Sequence, residues 1–257
     1  MFAYRGGPLL YWDATTGTAV RAQIVDTTNF PTSSDVPTVV NYSFVSDISR
    51  FVFAFGANAL GASLIDPMLI RWSDQESFVN WTPDAANQAG SLRLSHGTEI
   101  VTATQARQEI LVWSDSALYS LQYLGSPDVW GAQLLGNNIS IAGQNATAYA
   151  AGVAFWMGRD KFYTYDGTVS PLPSNVRRYV FSDEGFNEIW WFYCSSGATT
   201  NDRYVVYNYV ENLWFYGTLG RTAWLDSGLR AYPLAATYNY NLVNHEVGTD
   251  NKETAVT

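Results

Sequence analysis

A chain of 257 residues is long enough to bury a sizeable core, in one large all-β domain or two smaller ones. Hydrophobic residues make up 47% and charged residues 14%, which excludes a disordered tail and leaves much of the polar surface to Ser, Thr, Asn and Gln. The net charge of −9, with 14 basic residues and one adjacent basic pair, Arg177-Arg178, argues against a protein that grips nucleic acid through its phosphates.

The opening residues, Met1 to Gly7, lack the basic-then-apolar layout of a signal peptide. No apolar run approaches the roughly 20 residues of a membrane-spanning helix. Strand-like runs follow in chain order at 39–45, 50–55, 68–72, 99–104, 109–113 and 118–123. They continue at 153–157, 161–165, 188–194, 203–207, 213–216 and 234–240. Each is rich in β-branched or aromatic residues and is bounded by Gly, Asp, Asn, Ser or Pro. The first 60 or so residues are less regular, and 28–38, with Pro31 and Pro37, reads as a linker or an excursion from the first unit. Segment 78–89 comes nearest to helical spacing, but Pro83 interrupts it, so a long loop is expected there.

A recurring unit runs through these strands. A strand ends in an aromatic residue, a polar turn follows, and the next strand begins. The copies are Trp12-Asp13, Trp72-Ser73-Asp74, Trp113-Ser114-Asp115 and Tyr165-Asp166-Gly167, with a looser one at Tyr207-Asn208. Asp and Asn bond their own backbone in tight turns, and the aromatic is expected to anchor the strand end in the core. The anchors stand 60, 41, 52 and 42 residues apart, near the 40–50-residue repeat of propeller blades. Four strands between 100 and 135, and four more between 146 and 172, match a four-stranded antiparallel blade. A β-sandwich also alternates strands and turns, but has less reason to repeat an anchored turn at blade spacing. The expected fold is therefore all-β, a β-propeller-like array of four-stranded antiparallel blades. It forms one domain over 1–257, with an irregular extension over about 1–60.

Catalytic chemistry is hard to find. His96 and His245 lack a second His or Cys at metal-ligand spacing, and Cys194 is alone. Ser95-His96 has no nucleophile elbow around it. Asp74, Asp115 and Asp166 sit where turns need acids, so they do not form a glycosidase pair. No cofactor, metal or enzymatic activity is expected. The aromatic run Trp190-Trp191-Phe192-Tyr193 would serve as a platform for a lectin-like propeller. Strand alternation makes an inner strand packed on both faces the simpler reading.

Five segments, taken in order, resemble the tail-nozzle or packaged-DNA-stabilisation proteins of short-tailed bacteriophages. They are Arg71-Trp72-Ser73-Asp74 through Asn80-Trp81-Thr82-Pro83 to Asn87-Gln88-Ala89-Gly90; Ile110-Leu111-Val112-Trp113-Ser114-Asp115-Ser116-Ala117-Leu118-Tyr119; Tyr163-Thr164-Tyr165-Asp166-Gly167; Asn187-Glu188-Ile189-Trp190-Trp191-Phe192; and Asn208-Tyr209-Val210-Glu211-Asn212-Leu213-Trp214. The resemblance implies a structural virion protein, made in the host bacterial cytoplasm. Such proteins form a homo-oligomeric ring at the end of the tail. The ring continues the DNA channel, helps retain packaged DNA, and carries propeller domains where fibres or spikes attach. Its implied partners are the adaptor or portal side of the tail, the fibres or spikes, and passing DNA that is not held tightly. No membrane is implied. Relatives of that kind are longer, and the passage Arg177-Arg178 to Phe186 looks short between its flanking strands. A monomer is therefore expected for the isolated chain. A carbohydrate-binding propeller is the alternative.

The charge balance gives a direct test. No tight binding of duplex DNA is expected near physiological salt. A sub-micromolar Kd in fluorescence anisotropy would show that the basic residues are gathered where the sequence does not reveal it.

Overall fold

The computed structural model describes residues 1–17, 19–159, 161–172, 186–226, 232–245 and 247, together with the backbone of 180–183. Arg177-Arg178 lies outside the described residues. The chain is an all-β, propeller-like array of antiparallel blades, four of them four-stranded. The only helical turn among the described residues is the 3-10 turn Ala14–Thr16. Two compact units, Met1–Ser140 and Ile141–Thr257, make up the chain.

In the first unit, β1 (Leu10–Tyr11) pairs with β2 (Gln23–Ile24). The first blade is the meander β3 (Val40–Val45), β4 (Val52–Asn58), β5 (Ile65–Trp72) and β6 (Gly90–Arg93). The second is β7 (Ile100–Gln105), β8 (Ile110–Ser114), β9 (Ala117–Gly125) and β10 (Val129–Asn137). The irregular extension therefore ends near residue 39, earlier than the expected 60.

Strand β4 shows why this unit folds as it does. Its side chains alternate between faces, and both faces are apolar. Phe53 and Phe55, with Phe51 just before the strand, face the second blade beside Met68, Ile70 and Trp72 of β5. There they meet Ile110, Val112, Leu121 and Trp130, with the Phe53 and Trp130 rings 5.0 Å apart, edge to face. Val52, Ala54 and Ala57 turn the other way, into a second core with Leu9, Val25, Val36 and Trp81. The parity shifts between Ala54 and Ala57 because the ladder slips at Gly56. Gly56 sits at φ +60°, and a Cβ there would lie 2.8 Å from the Asn41 side-chain nitrogen, so the bulge needs glycine.

That second core is covered by the N-terminal segment. Tyr11 stacks on Phe78 at 4.6 Å. Residues 28–38, expected as a linker or an excursion from the first unit, are stitched down to the β5–β6 loop: Ser34 N–H donates to the Val79 carbonyl, and Trp81 N–H donates to that of Ser34. Arg71 of β5 is the pin. Buried to 2% exposure, it donates to the Asp35 carboxylate at 2.7 Å, the Asp35 carbonyl at 2.8 Å, the Asn58 carbonyl at 3.2 Å and the Trp81 carbonyl at 3.3 Å. The expected loop over 78–89 is a loop, and Trp81 is fully buried at its centre.

The second unit has one blade of β11 (Thr147–Ala150), β12 (Val153–Met157), β13 (Phe162–Tyr165) and β14 (Val169–Leu172). Another is β15 (Val180–Asp183), β16 (Glu188–Tyr193), β17 (Arg203–Asn208) and β18 (Leu213–Gly217). A three-stranded sheet follows, with β19 (Ala223–Leu225), β20 (Leu234–Ala236) and β21 (Leu242–Asn244). The last predicted strand, 234–240, is thus only three residues long. The passage that looked short contains β15, which pairs with β16 from Val180↔Trp191 to Asp183↔Glu188. It supplies a blade strand where none was expected, and residues 184–185 of its turn lie outside the described residues.

Strand β16 repeats the logic of β4. Trp191 packs with Phe162 at 4.8 Å and Trp214 at 5.6 Å on one face. On the other, Trp190 and Phe192 join Val206 and Trp224. The aromatic run is a two-faced inner strand and offers no sugar platform.

Removing the Arg71 pin should be costly. We expect Arg71→Ala to lose about 3–5 kcal/mol, because it strands buried acceptors and the Asp35 carboxylate. Arg93→Ala, which breaks the exposed Arg93–Asp66 pair, should lose at most about 1 kcal/mol. Urea unfolding compares the two; equal losses would mean that Arg71 does not hold the N-terminal segment.

Candidate functional site

The four predicted turn anchors do different jobs. Trp113 is fully buried and Trp72 nearly so, with the Trp72 indole donating to the Gln88 carbonyl at 2.8 Å. Tyr165 is half-buried. Trp12 is a correction: it follows a two-residue strand, is 38% exposed and donates to the Val20 carbonyl, so it does not anchor a strand end in the core.

The acids differ as well. Asp166 accepts from Thr168 N–H inside a tight hairpin closed by Gly167, as expected. Asp13 caps the 3-10 turn, and bonds from the Thr15 amide and hydroxyl hold its carboxyl below the usual range. Asp74 opens the long loop and not a hairpin; it accepts from Gln75 and Gln88 N–H. Asp115 sits in the β8–β9 hairpin but reaches across to Thr98, accepting from its amide at 2.8 Å and its hydroxyl at 2.7 Å. Burial opposes ionisation of Asp115, yet these bonds bring its pKa below the usual value. The hairpin itself is closed by Ser114, whose hydroxyl accepts from Ala117 N–H.

The histidines separate into an exposed and a buried case. His96 lies on an exposed loop, its Nδ1 2.9 Å from Ser95 Oγ and 3.2 Å from the Tyr119 hydroxyl. No carboxylate among the described residues bonds it, so the Ser-His contact lacks an orienting acid. His245 is 8% exposed, packs on Trp224 at 4.2 Å, and accepts from Arg221 Nε at 2.8 Å. Burial, reinforced by the Arg221 charge, pushes its pKa down to about 4. Among the described residues no three His, Cys, Asp or Glu side chains gather as a metal cage.

The place where side chains converge without filling one another's needs is a loop end of the first unit. The β3–β4 turn is closed by Ser46 N–H to the Phe51 carbonyl and Arg50 N–H to the Ser46 carbonyl. Ser49 Oγ donates to Ser46 Oγ at 2.7 Å, which donates to Gln105 Oε1 of the β7–β8 turn at 2.7 Å. Gln105 Nε2 donates to the Ala106 and Glu109 carbonyls. From the β5–β6 loop, Gln75 Nε2 donates to the Ser49 carbonyl at 3.1 Å. Three loops are thus tied by hydroxyls and amides rather than by apolar packing.

Two clefts flank this knot. The larger, about 430 Å³, is open, and of its charged side chains, Asp47, Arg50 and Glu76, the last two bond each other. The smaller, about 240 Å³, is more enclosed and is lined by Gln75, Gln105, Gln108, Glu109, Tyr123 and Trp130, among others. Sequence reasoning missed it because 105–108 is only the connection between the expected strands 99–104 and 109–113 and carries no motif. The available signal was composition: Gln105-Ala106-Arg107-Gln108-Glu109 contains no Gly, Pro, Asn or Asp, the residues chosen for turn geometry.

No family model and no curated protein sequence matches the chain. Solved structures do. The extracellular domain of the putative one component system BT4673 from B. thetaiotaomicron aligns over 97% of this chain and 32% of its own, with a TM-score of 0.58 and 12% identity. Hsv2p of Kluyveromyces lactis aligns over 93% and 68%, with a TM-score of 0.51 and 12% identity. Hsv2 of Kluyveromyces marxianus aligns over 78% and 60%, with a TM-score of 0.48 and 11% identity. The chain therefore spans about a third of the first of these structures and less than two thirds of the last. At such identities the two matches with TM-scores above 0.5 show the fold, that of a β-propeller, and no activity.

His245 gives a pH expectation. Between pH 6.5 and about 4 the unfolded chain binds a proton that the folded chain does not, so stability falls as pH drops through that window. At about 1.4 kcal/mol per pKa unit the loss reaches roughly 3 kcal/mol. His245→Gln keeps an acceptor for Arg221 and should flatten that part of the Tm profile; an unchanged profile would show that His245 does not stay neutral.

Proposed function

We propose that the chain is a non-enzymatic structural module of a short-tailed phage tail, part of the nozzle at the tail end. The observation that carries this reading is the ordered set of five resembling segments. They fall on the end of β5, the long loop after it and the start of β6, the β8–β9 hairpin, the end of β13, β16, and the β17–β18 turn. They follow the blade framework through both units, as a family likeness in a structural protein would, rather than gathering at one pocket. The acidic charge suits a wall that DNA passes without sticking. In this reading the protein is made in the host cytoplasm and resides in the virion. It acts as a subunit of a ring beside the adaptor or portal, and it offers its propeller surface to fibres or spikes. The isolated chain is a monomer.

A second reading, a carbohydrate-binding propeller, is favoured by the amide-lined cleft of the first unit. The two readings are compatible, since a tail protein can carry a glycan site.

Quantitative mass spectrometry of purified short-tailed virions from a culture encoding this sequence tests the first reading. Its peptides should appear in a fixed ring-like ratio to the portal subunit. Peptides abundant in the lysate but missing from virions would overturn it.

A further inference from the structure

We infer that the smaller cleft of the first unit is a subsite for one neutral sugar ring of a glycan. This deepens the carbohydrate reading and rests on it. The lining supplies the groups that a ring of hydroxyls needs. Glu109 uses Oε2 to accept from the Ser120 hydroxyl and keeps Oε1 without a protein partner among the described residues. Gln75 Oε1 is in the same position, because its amide nitrogen is the atom engaged. Gln108 lines the cleft with no protein partner for its amide. Two acceptors and one donor–acceptor amide therefore face a space whose frame, Gln105, is locked by its own bonds. Sugar hydroxyls both donate and accept, and would donate to Glu109 and Gln75 and accept from Gln108.

The apolar part of a sugar also has a partner. Tyr123 is 46% exposed, but its ring is not loose: it lies against Trp130 at 5.3 Å and Phe51 at 6.0 Å. Its hydroxyl donates to Gln88 Oε1 at 3.1 Å. A rigid, half-exposed tyrosine gives contact area at little entropic cost. The lining contains no Lys or Arg, and its one charge is negative, so phosphates and acidic sugars are rejected. The volume, about 240 Å³, is below the roughly 300–1,000 Å³ of drug-sized sites and suits one ring with the rest of the glycan outside. Glu109 is the only carboxylate lining the cleft, so the cleft binds and does not run the two-carboxylate hydrolysis of glycosides.

The test begins with an array of neutral glycans, with glucose, galactose and mannose termini, probed with the whole chain. Isothermal titration of the best hit follows, against the unmodified chain, Gln108→Ala, Tyr123→Ala, Glu109→Gln and the exposed control Tyr240→Ala of the second unit. We expect the three cleft substitutions to weaken binding at least tenfold, Gln108→Ala and Glu109→Gln with Tm unchanged and Tyr123→Ala with a lowered Tm because it also loses its contacts with Trp130, Phe51 and Gln88, and the control to change nothing. Gln108→Ala removes an exposed side chain without a protein bond, so it tests the site even if another variant unfolds. Glycan binding that all cleft variants retain would move the site elsewhere and leave the carbohydrate reading standing. No binding on the array would overturn both the site and the carbohydrate reading.

Discussion

The constraint behind this fold is that a blade's inner strands are apolar on both faces and need cover on both. A phenylalanine or leucine moved from water into such a core contributes roughly 1.5–3 kcal/mol, so an uncovered face would cost several such contributions at once. For β4 the second blade covers one side and residues 1–39 the other, meeting at Trp81. The apolar contacts alone do not fix where the N-terminal segment lies. Arg71 does, since its guanidinium reaches carbonyls on three separate stretches and one carboxylate. Burying that charge costs desolvation, so its return is a single register rather than net stability.

The two-faced pattern is also what makes this architecture legible in a sequence. Phe51-Val52-Phe53-Ala54-Phe55 and Ile189-Trp190-Trp191-Phe192 have no polar alternation, and inner strands were the simplest way to bury them. Among the strands that sequence reasoning missed, β6 with Gly90-Ser91-Leu92-Arg93 and β15 with Val180-Phe181-Ser182-Asp183 lie at sheet edges, where pairing on one side suffices and composition says little. The same limit explains the anchors. Trp12 and Trp113 look alike in sequence, each followed by a polar turn. Whether the indole is buried depends on a neighbouring sheet that local spacing does not report.

The acids teach a related lesson. A turn aspartate satisfies its own hairpin only when nothing nearer competes. Asp166 does so beside Gly167, whereas Asp115 leaves that duty to Ser114 and ties down Thr98, at the entry to β7. The residue type predicted a hydrogen-bonded turn, but the partner was set by which amides the fold left unsatisfied.

The same accounting locates the candidate site. Blade faces in the first unit are consumed by packing, so side chains free to meet a ligand remain at loop ends. There the chain uses glutamines and serines where turn-formers would be simpler. A turn built from Gln105 to Glu109 gains no backbone advantage over one built from Asn and Gly, and it must hold its shape through side-chain bonds instead. Those bonds occupy Gln105 completely yet leave Glu109 Oε1 and the Gln108 amide beside an ordered tyrosine. In the proposed subsite the atoms that fix the loop and the atoms that would meet the ligand are different ones, so the loop need not give up its own bonds to bind.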